Sequence, residues 1–109
     1  MLLDFSNIPA KAIPAFKGGT GEAIVRMHAD DLGKVARITL HPGASIGPHV
    51  HDDSYEVVYV LSGCGTCYDG DQVYPVSAGM VQYCPQHEGH SIVNTGTEDL
   101  RLLGIIPNR

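Results

Sequence analysis

Residues 43–63 read GASIGPHVHDDSYEVVYVLSG, and both the fold and the chemistry turn on them. His49 and His51 stand two apart. On an extended strand, residues i and i+2 share a face, with Cα atoms about 6.7 Å apart at a rise of roughly 3.3 Å per residue. Two imidazoles leaning inward from that distance can meet one metal ion, which takes nitrogen ligands at about 2.0–2.1 Å. Glu56 opens a second run, EVVYVL, whose β-branched and aromatic residues predict a strand ending at Ser62-Gly63. Asp52-Asp53-Ser54 supplies turn chemistry between the two runs, so a hairpin is expected that returns Glu56 to the histidines. Residues 79–94, GMVQYCPQHEGHSIVN, add His90 at the start of another short strand. His49, His51, Glu56 and His90 form the expected ligand set of one divalent transition metal ion. Imidazole and carboxylate without thiolate suit Mn, Fe, Co, Ni, Cu or Zn, and ligand type alone does not choose among them.

Outward from this stretch the chain is punctuated every 8–12 residues or so by turn signals, as in a sandwich or barrel. Strands are expected over residues 22–28, 34–41, 45–51, 56–61, 64–68, 72–76, 80–84, 90–94 and 100–106. Asp69-Gly70-Asp71 marks a hairpin turn, where Asp-Gly supplies a positive φ. Pro48 restricts its strand to an edge or an irregular ladder. Residues 1–20, with Pro9, Pro14 and Gly18-Gly19-Thr20-Gly21, suggest an extended arm, and residues 21–109 one barrel domain. At 109 residues, with 13 Gly, 7 Pro and only 17% charged residues, the chain suits an all-β fold of many short strands. The formal net charge of −5 and the lack of a basic patch argue against nucleic acid. No apolar run approaches the ~20 residues of a membrane span. The first residues lack the basic start of a signal peptide, so a cytoplasmic location is expected. Cys64, Cys67 and Cys84 make no disulfide framework and are expected to be ordinary thiols.

The spacing of Gly43, His49, His51, Glu56 and Gly63 resembles the first motif of the cupin family at every fixed position. Gly79, Pro85, His90 and Asn94 are similar to the second, except that His87 stands where the family usually has glycine. The resemblance implies a small single-domain cupin: a double-stranded β-helix, or jelly-roll barrel, with a metal held by the four residues above. It also implies a homodimer in which the N-terminal arm pairs with a second subunit. The function expected is a metal-dependent enzyme of dioxygenase, isomerase or lyase type acting on a small polar metabolite, a carboxylate or sugar derivative. The alternative is a non-catalytic module that binds or senses a small ligand.

Other residues compete for roles at the site. His87 is a candidate extra ligand, a general acid/base, or a loop residue open to water. Arg37 and Arg101 would hold a substrate carboxylate bidentately if they faced inward, and would sit on a solvated face otherwise. Tyr83 and Gln82 lie on opposite faces of one strand, so only one faces inward, and Tyr83 would either orient a ligand hydroxyl or fill the core between the sheets. His28 and His41 lack companions at ligand spacing. Asn94 is expected to fix the turn before Thr95-Gly96.

Overall fold

The computed structural model describes residues 1–109. Ten strands run in order: β1 (Lys11–Pro14), β2 (Glu22–Asp30), β3 (Gly33–Leu40), β4 (Ser45–Val50), β5 (Glu56–Ser62), β6 (Cys64–Asp69), β7 (Gln72–Ser77), β8 (Val81–Cys84), β9 (Gly89–Val93) and β10 (Leu100–Pro107). Two antiparallel sheets face each other, one ordered β1-β2-β3-β10-β5-β8 and the other β4-β9-β6-β7. This is an all-β arrangement of two facing sheets, as the turn spacing predicts, and the jelly roll that the resemblance implies, with no α-helix. No helix is long and apolar enough to cross a membrane.

The expected hairpin between β4 and β5 does not form. β4 pairs with β9, while β5 lies between β10 and β8 in the other sheet. Residues 51–55 therefore cross from sheet to sheet, tacked down by a bridge between Ser54 and Asn108. The reason is pairing between distant segments: β9 takes the place beside β4, and that ladder accommodates Gly47-Pro48 by a register shift between Ile46 and His49. Proline brings no N–H to a ladder. Local turn residues were enough to suggest a reversal, but not to say which sheet receives the returning strand.

Alternation along each strand sends one set of side chains into the barrel. Ala23, Val25, Ala36, Ile38, Leu40, Val58, Val60, Leu100 and Leu102 are buried against Ile46, Cys67, Val76 and Ile92 of the second sheet. Residues 1–20 fold onto the same chain. β1 pairs with β2, and a 3-10 turn at Phe16–Gly18 lies over β4, where Gly47 approaches the Lys17 carbonyl too closely for a Cβ. Asn94, 1% exposed, donates to the carbonyls of Leu40 and Glu98 and accepts from the Gly96 amide, fixing its turn. All three cysteines are free, and burial pushes the Cys84 thiol up to about 11, so it stays protonated.

Candidate metal centre

The barrel gathers the four candidate ligands at one end. His49 and His90 face each other directly across the β4–β9 ladder, and their Nε2 atoms are 3.1 Å apart. His51 follows β4 and brings its Nε2 to 3.3 Å from that of His90. Glu56, first residue of β5, enters from the opposite sheet. Its Oε1 lies 2.8 Å from Nε2 of both His51 and His90 and 3.8 Å from that of His49. The four ligating atoms all lie within 4.8 Å of one another. Side-chain exposure ranges from 2% for His90 to 15% for His49.

The donor set fits a metal ion. Two nitrogens at about 2.1 Å from one ion are about 3.0 Å apart at a right angle and about 3.4 Å apart at a tetrahedral one. The His49–His90 and His51–His90 separations fall in that interval. The outer nitrogens are engaged as well: Nδ1 of His49 donates to the Gly47 carbonyl at 2.8 Å, and Nδ1 of His90 meets Gln82 Oε1 at 2.7 Å. A carbonyl only accepts, so the proton of each neutral ring sits on Nδ1 and leaves Nε2 bare toward the cluster. Bare nitrogens and a carboxylate oxygen at 2.8–3.1 Å repel one another unless a cation lies among them. The cluster could therefore hold a divalent ion; its identity stays open among the metals that imidazole and carboxylate suit.

Charge within the cluster follows from burial and neighbours. Burial alone would raise the Glu56 carboxyl, but in the metal-free cluster hydrogen bonds from the His49 and His90 rings and the charge of His90 and His51, present once those rings carry a proton on Nε2, outweigh it and hold it at about 2. Burial pushes His51 below its ordinary value, and the nearby Glu56 charge only partly offsets this. Both groups thus take the metal-binding forms, carboxylate and neutral imidazole, near neutral pH. Gly104 of β10 makes the space for Glu56, since a Cβ there would stand 3.1 Å from Oε2.

Above the cluster a cavity of about 300 Å³ opens between the sheets. Its walls include Val25, Ala36, Ile38, Ile46, Val58 and Ile92, and its exposed rim carries Lys17, Lys34, Asp52 and Asp53. Phe16 and Lys17 also line it, so the N-terminal segment contributes to the pocket.

The remaining candidates lie elsewhere. Arg37 and Arg101 point away from the cavity because Ala36, Ile38, Leu100 and Leu102 take the inward positions beside them. Arg37 lines a shallow outer depression with Arg26 and His41, and Arg101 pairs with Asp99 at 3.5 Å. Tyr83 is 55% exposed on the outer face, its ring against Tyr55. The inward position belongs to Gln82, whose partner across the ladder is Val58. His87 projects into solvent with its side chain 72% exposed, and its φ of +72° is the left-handed conformation that glycine adopts most easily. Its amide donates to the His51 carbonyl at 2.6 Å, so the loop is held without the glycine. His28 and His41 pair with Asp30 and Asp99. Sequence reasoning held Gln82 only as the alternative to Tyr83 for the inward face and missed Ser54, which contacts His51 Nδ1 at 3.2 Å. The apolar Val58 and the acidic Glu56, inward on the neighbouring strand, were the available signal for Gln82.

Comparison with known proteins agrees with this architecture. An oxalate-binding protein of Thermotoga maritima is 35% identical over 113 residues, covering 97% of this chain and 93% of its own. A crystal structure described as a predicted oxalate decarboxylase, also from Thermotoga maritima, superposes with a TM-score of 0.94 at 33% identity over 100% of both chains. A double-stranded β-helix protein of Klebsiella pneumoniae shares the fold at a TM-score of 0.75 and 23% identity, over 85% of this chain and 83% of its own. The cupin domain family matches residues 36–106, a span that contains all four candidate ligands, and the chain belongs to the cupin family.

Proposed function

We propose that this protein binds a small dicarboxylate of the oxalate class at a divalent metal ion held by His49, His51, Glu56 and His90, and that it holds this ligand rather than transforming it. The metal, when bound, supplies the positive charge that draws carboxylate oxygens; four protein ligands leave one or two positions free on a five- or six-coordinate ion. Adjacent carboxylates can chelate across two such positions. A cavity of about 300 Å³ is at the small end for ligand pockets, which favours an anion of few atoms. The rim lysines Lys17 and Lys34 add positive charge along its approach. The likeness to an oxalate-binding protein over nearly its full length supports this ligand class.

The observation that carries binding over turnover is the make-up of the cavity. Its inner walls are aliphatic, Ser91 is tied to the Ile46 carbonyl, and the groups able to move a proton are the ligands themselves or sit at the exposed rim. Calorimetry of the metal-loaded protein with oxalate, using acetate as a single-carboxylate control, tests this. One equivalent of oxalate should bind at least about tenfold more tightly than acetate, as expected for a second metal–oxygen contact worth about 1.4 kcal/mol or more. Release of CO2 and formate would overturn the binding reading and favour decarboxylation, which the likeness to a predicted oxalate decarboxylase suggests.

For the assembly, the partner proposed is a second copy of the chain. Tyr59, Leu61, Val81, Tyr83 and Ile105 are each more than a third exposed and lie on the neighbouring strands β10, β5 and β8. An apolar outer face of that kind suits a homodimer. Sedimentation at micromolar concentration should give twice the chain mass, and Tyr59→Lys with Val81→Lys should give the monomer.

A further inference from the structure

The three imidazoles of the cluster are not held in the same way. His49 Nδ1 faces a backbone carbonyl, which fixes its tautomer outright. His51 Nδ1 faces the Ser54 hydroxyl, which can donate or accept and so fixes nothing. His90 faces the side-chain amide of Gln82, whose two ends differ: the oxygen accepts and the nitrogen donates. Gln82 is 3% exposed and sits on β8, in the sheet opposite His90. Its Nε2 donates to its neighbour's backbone carbonyl, that of Tyr83, at 3.2 Å. That carbonyl can take only a donor, so Oε1 is left to face His90 Nδ1 at 2.7 Å. Behind Gln82 the phenol of Tyr74 donates to Asp69 Oδ2 at 2.8 Å.

We propose that Gln82 is a positioning residue of the metal centre: its amide, oriented by the Tyr83 carbonyl, holds His90 with the proton on Nδ1 and the Nε2 lone pair bare toward Glu56 and His49. The assignment rests on the metal reading for its purpose but not for its geometry. The reversed amide would present –NH2 to Nδ1 and move the ring proton to Nε2. That proton would then bond Glu56 Oε1, 2.8 Å away, and occupy the lone pair a metal needs. One amide orientation thus separates a cluster ready for metal from one closed on itself. A buried glutamine on the strand next to Glu56 contributes here what a carbonyl contributes for His49.

The test reads the tautomer directly, in metal-free protein, by long-range proton–nitrogen NMR of the histidine rings at pH 8. The wild type should show His49 and His90 protonated on Nδ1. In Gln82→Leu the His90 proton should move to Nε2, and affinity for Co(II) alone should fall about 10- to 100-fold, the usual cost of losing such a partner. Gln82→Glu, which still offers an acceptor, should keep the Nδ1 proton and stay within about threefold of the wild type. Three results would overturn the proposal: a wild-type His90 protonated on Nε2, a folded Gln82→Leu with tautomer and affinity unchanged, or Gln82→Glu as weak as Gln82→Leu. If Gln82→Leu does not fold, the wild-type tautomer and Gln82→Glu decide. A His90 protonated on Nδ1 in a protein that takes up no Co(II) supports the role of Gln82 and removes the metal reading instead.

Discussion

The two ends of this barrel are made from the same strands and do opposite things. At the closed end Leu40, Leu100, Leu102 and Val60 are at most 1% exposed and fill the space between the sheets. At the open end the same strands taper. β3 passes from Leu40 and Ile38 to Ala36, β10 from Leu102 to Gly104, and β5 from Val60 and Val58 to Glu56. Large aliphatic side chains give way to small ones, then to carboxylate and imidazole, and a cavity opens where the volume is missing. Stability is concentrated at one end and chemistry at the other. Packing to native density leaves no room for a ligand, so a small barrel separates the two along its axis.

If that division holds, substitutions at the two ends should move different observables. The largest effect is expected from His90→Ala or Glu56→Gln, each removing a ligand from the cluster. Metal affinity should fall more than about 100-fold, beyond the loss typical of an outer partner, while isothermal titration with Co(II) or Zn(II) reads it. Leu102→Ala at the closed end should cost about 2–5 kcal/mol of stability, measured by urea unfolding of metal-free protein, with metal affinity changed less than about threefold. Equal loss of affinity from both kinds of variant would erase the distinction between the ends. Gly104→Ala lies at the boundary: its Cβ would press on Glu56 Oε2, so metal affinity should fall about tenfold, roughly 1.4 kcal/mol, with the fold retained.

Acid should act on the open end first. Glu56 is held at about 2, against 4.5 without its neighbours. Its depressed value stabilises the fold fully above about 4.5, and that contribution is lost as pH falls from there toward 2. His51 is likewise held below 6.5, so the stability from its neutral form begins to fade as pH drops under that value. Urea midpoints of metal-free protein should therefore decline on the acid side of about 6.5 and more steeply below 4.5. Metal occupancy should decline over the same upper range, because protonated imidazole cannot ligate. A flat midpoint between pH 7 and 4.5 would contradict the His51 assignment, and one flat between pH 4.5 and 2 the Glu56 assignment. The smallest effect is expected at His87→Gly. Relief of a left-handed φ is worth about 1–2 kcal/mol and is partly offset by the greater freedom of glycine when unfolded, about 0.5–1 kcal/mol. Stability should be unchanged or slightly raised, with metal affinity intact.

Much of this was legible in the sequence because it depends on local period. The strand segments, the Asp69-Gly70 turn and the shared face of His49 and His51 all follow from alternation and turn chemistry. What remained hidden was pairing between distant segments. Nothing near Asp52-Asp53-Ser54 says that β4 will join β9, and a hairpin is the simpler solution from neighbours alone. The inward face of β8 is a similar case: alternation separates Gln82 from Tyr83, but only the register of β8 on β5, with Glu56 opposite Cys84, decides which points in. For Arg37 and Arg101 the answer was within reach. Ala36, Ile38 and Leu40 form a clean apolar face, as do Leu100 and Leu102, and the arginines between them had to lie outside.

At the open end residues 51–55 and residues 85–88 are the covalent ties between the two sheets. An ion gripped by His49, His51 and His90 on one side and Glu56 on the other would rivet them together there. Its binding energy would become folding energy, about 4 kcal/mol when the free ion stands a thousandfold above its dissociation constant. The mouth of the barrel would then be firm or loose according to the supply of metal around it, and a chelator would soften the rim while the aliphatic floor stayed intact.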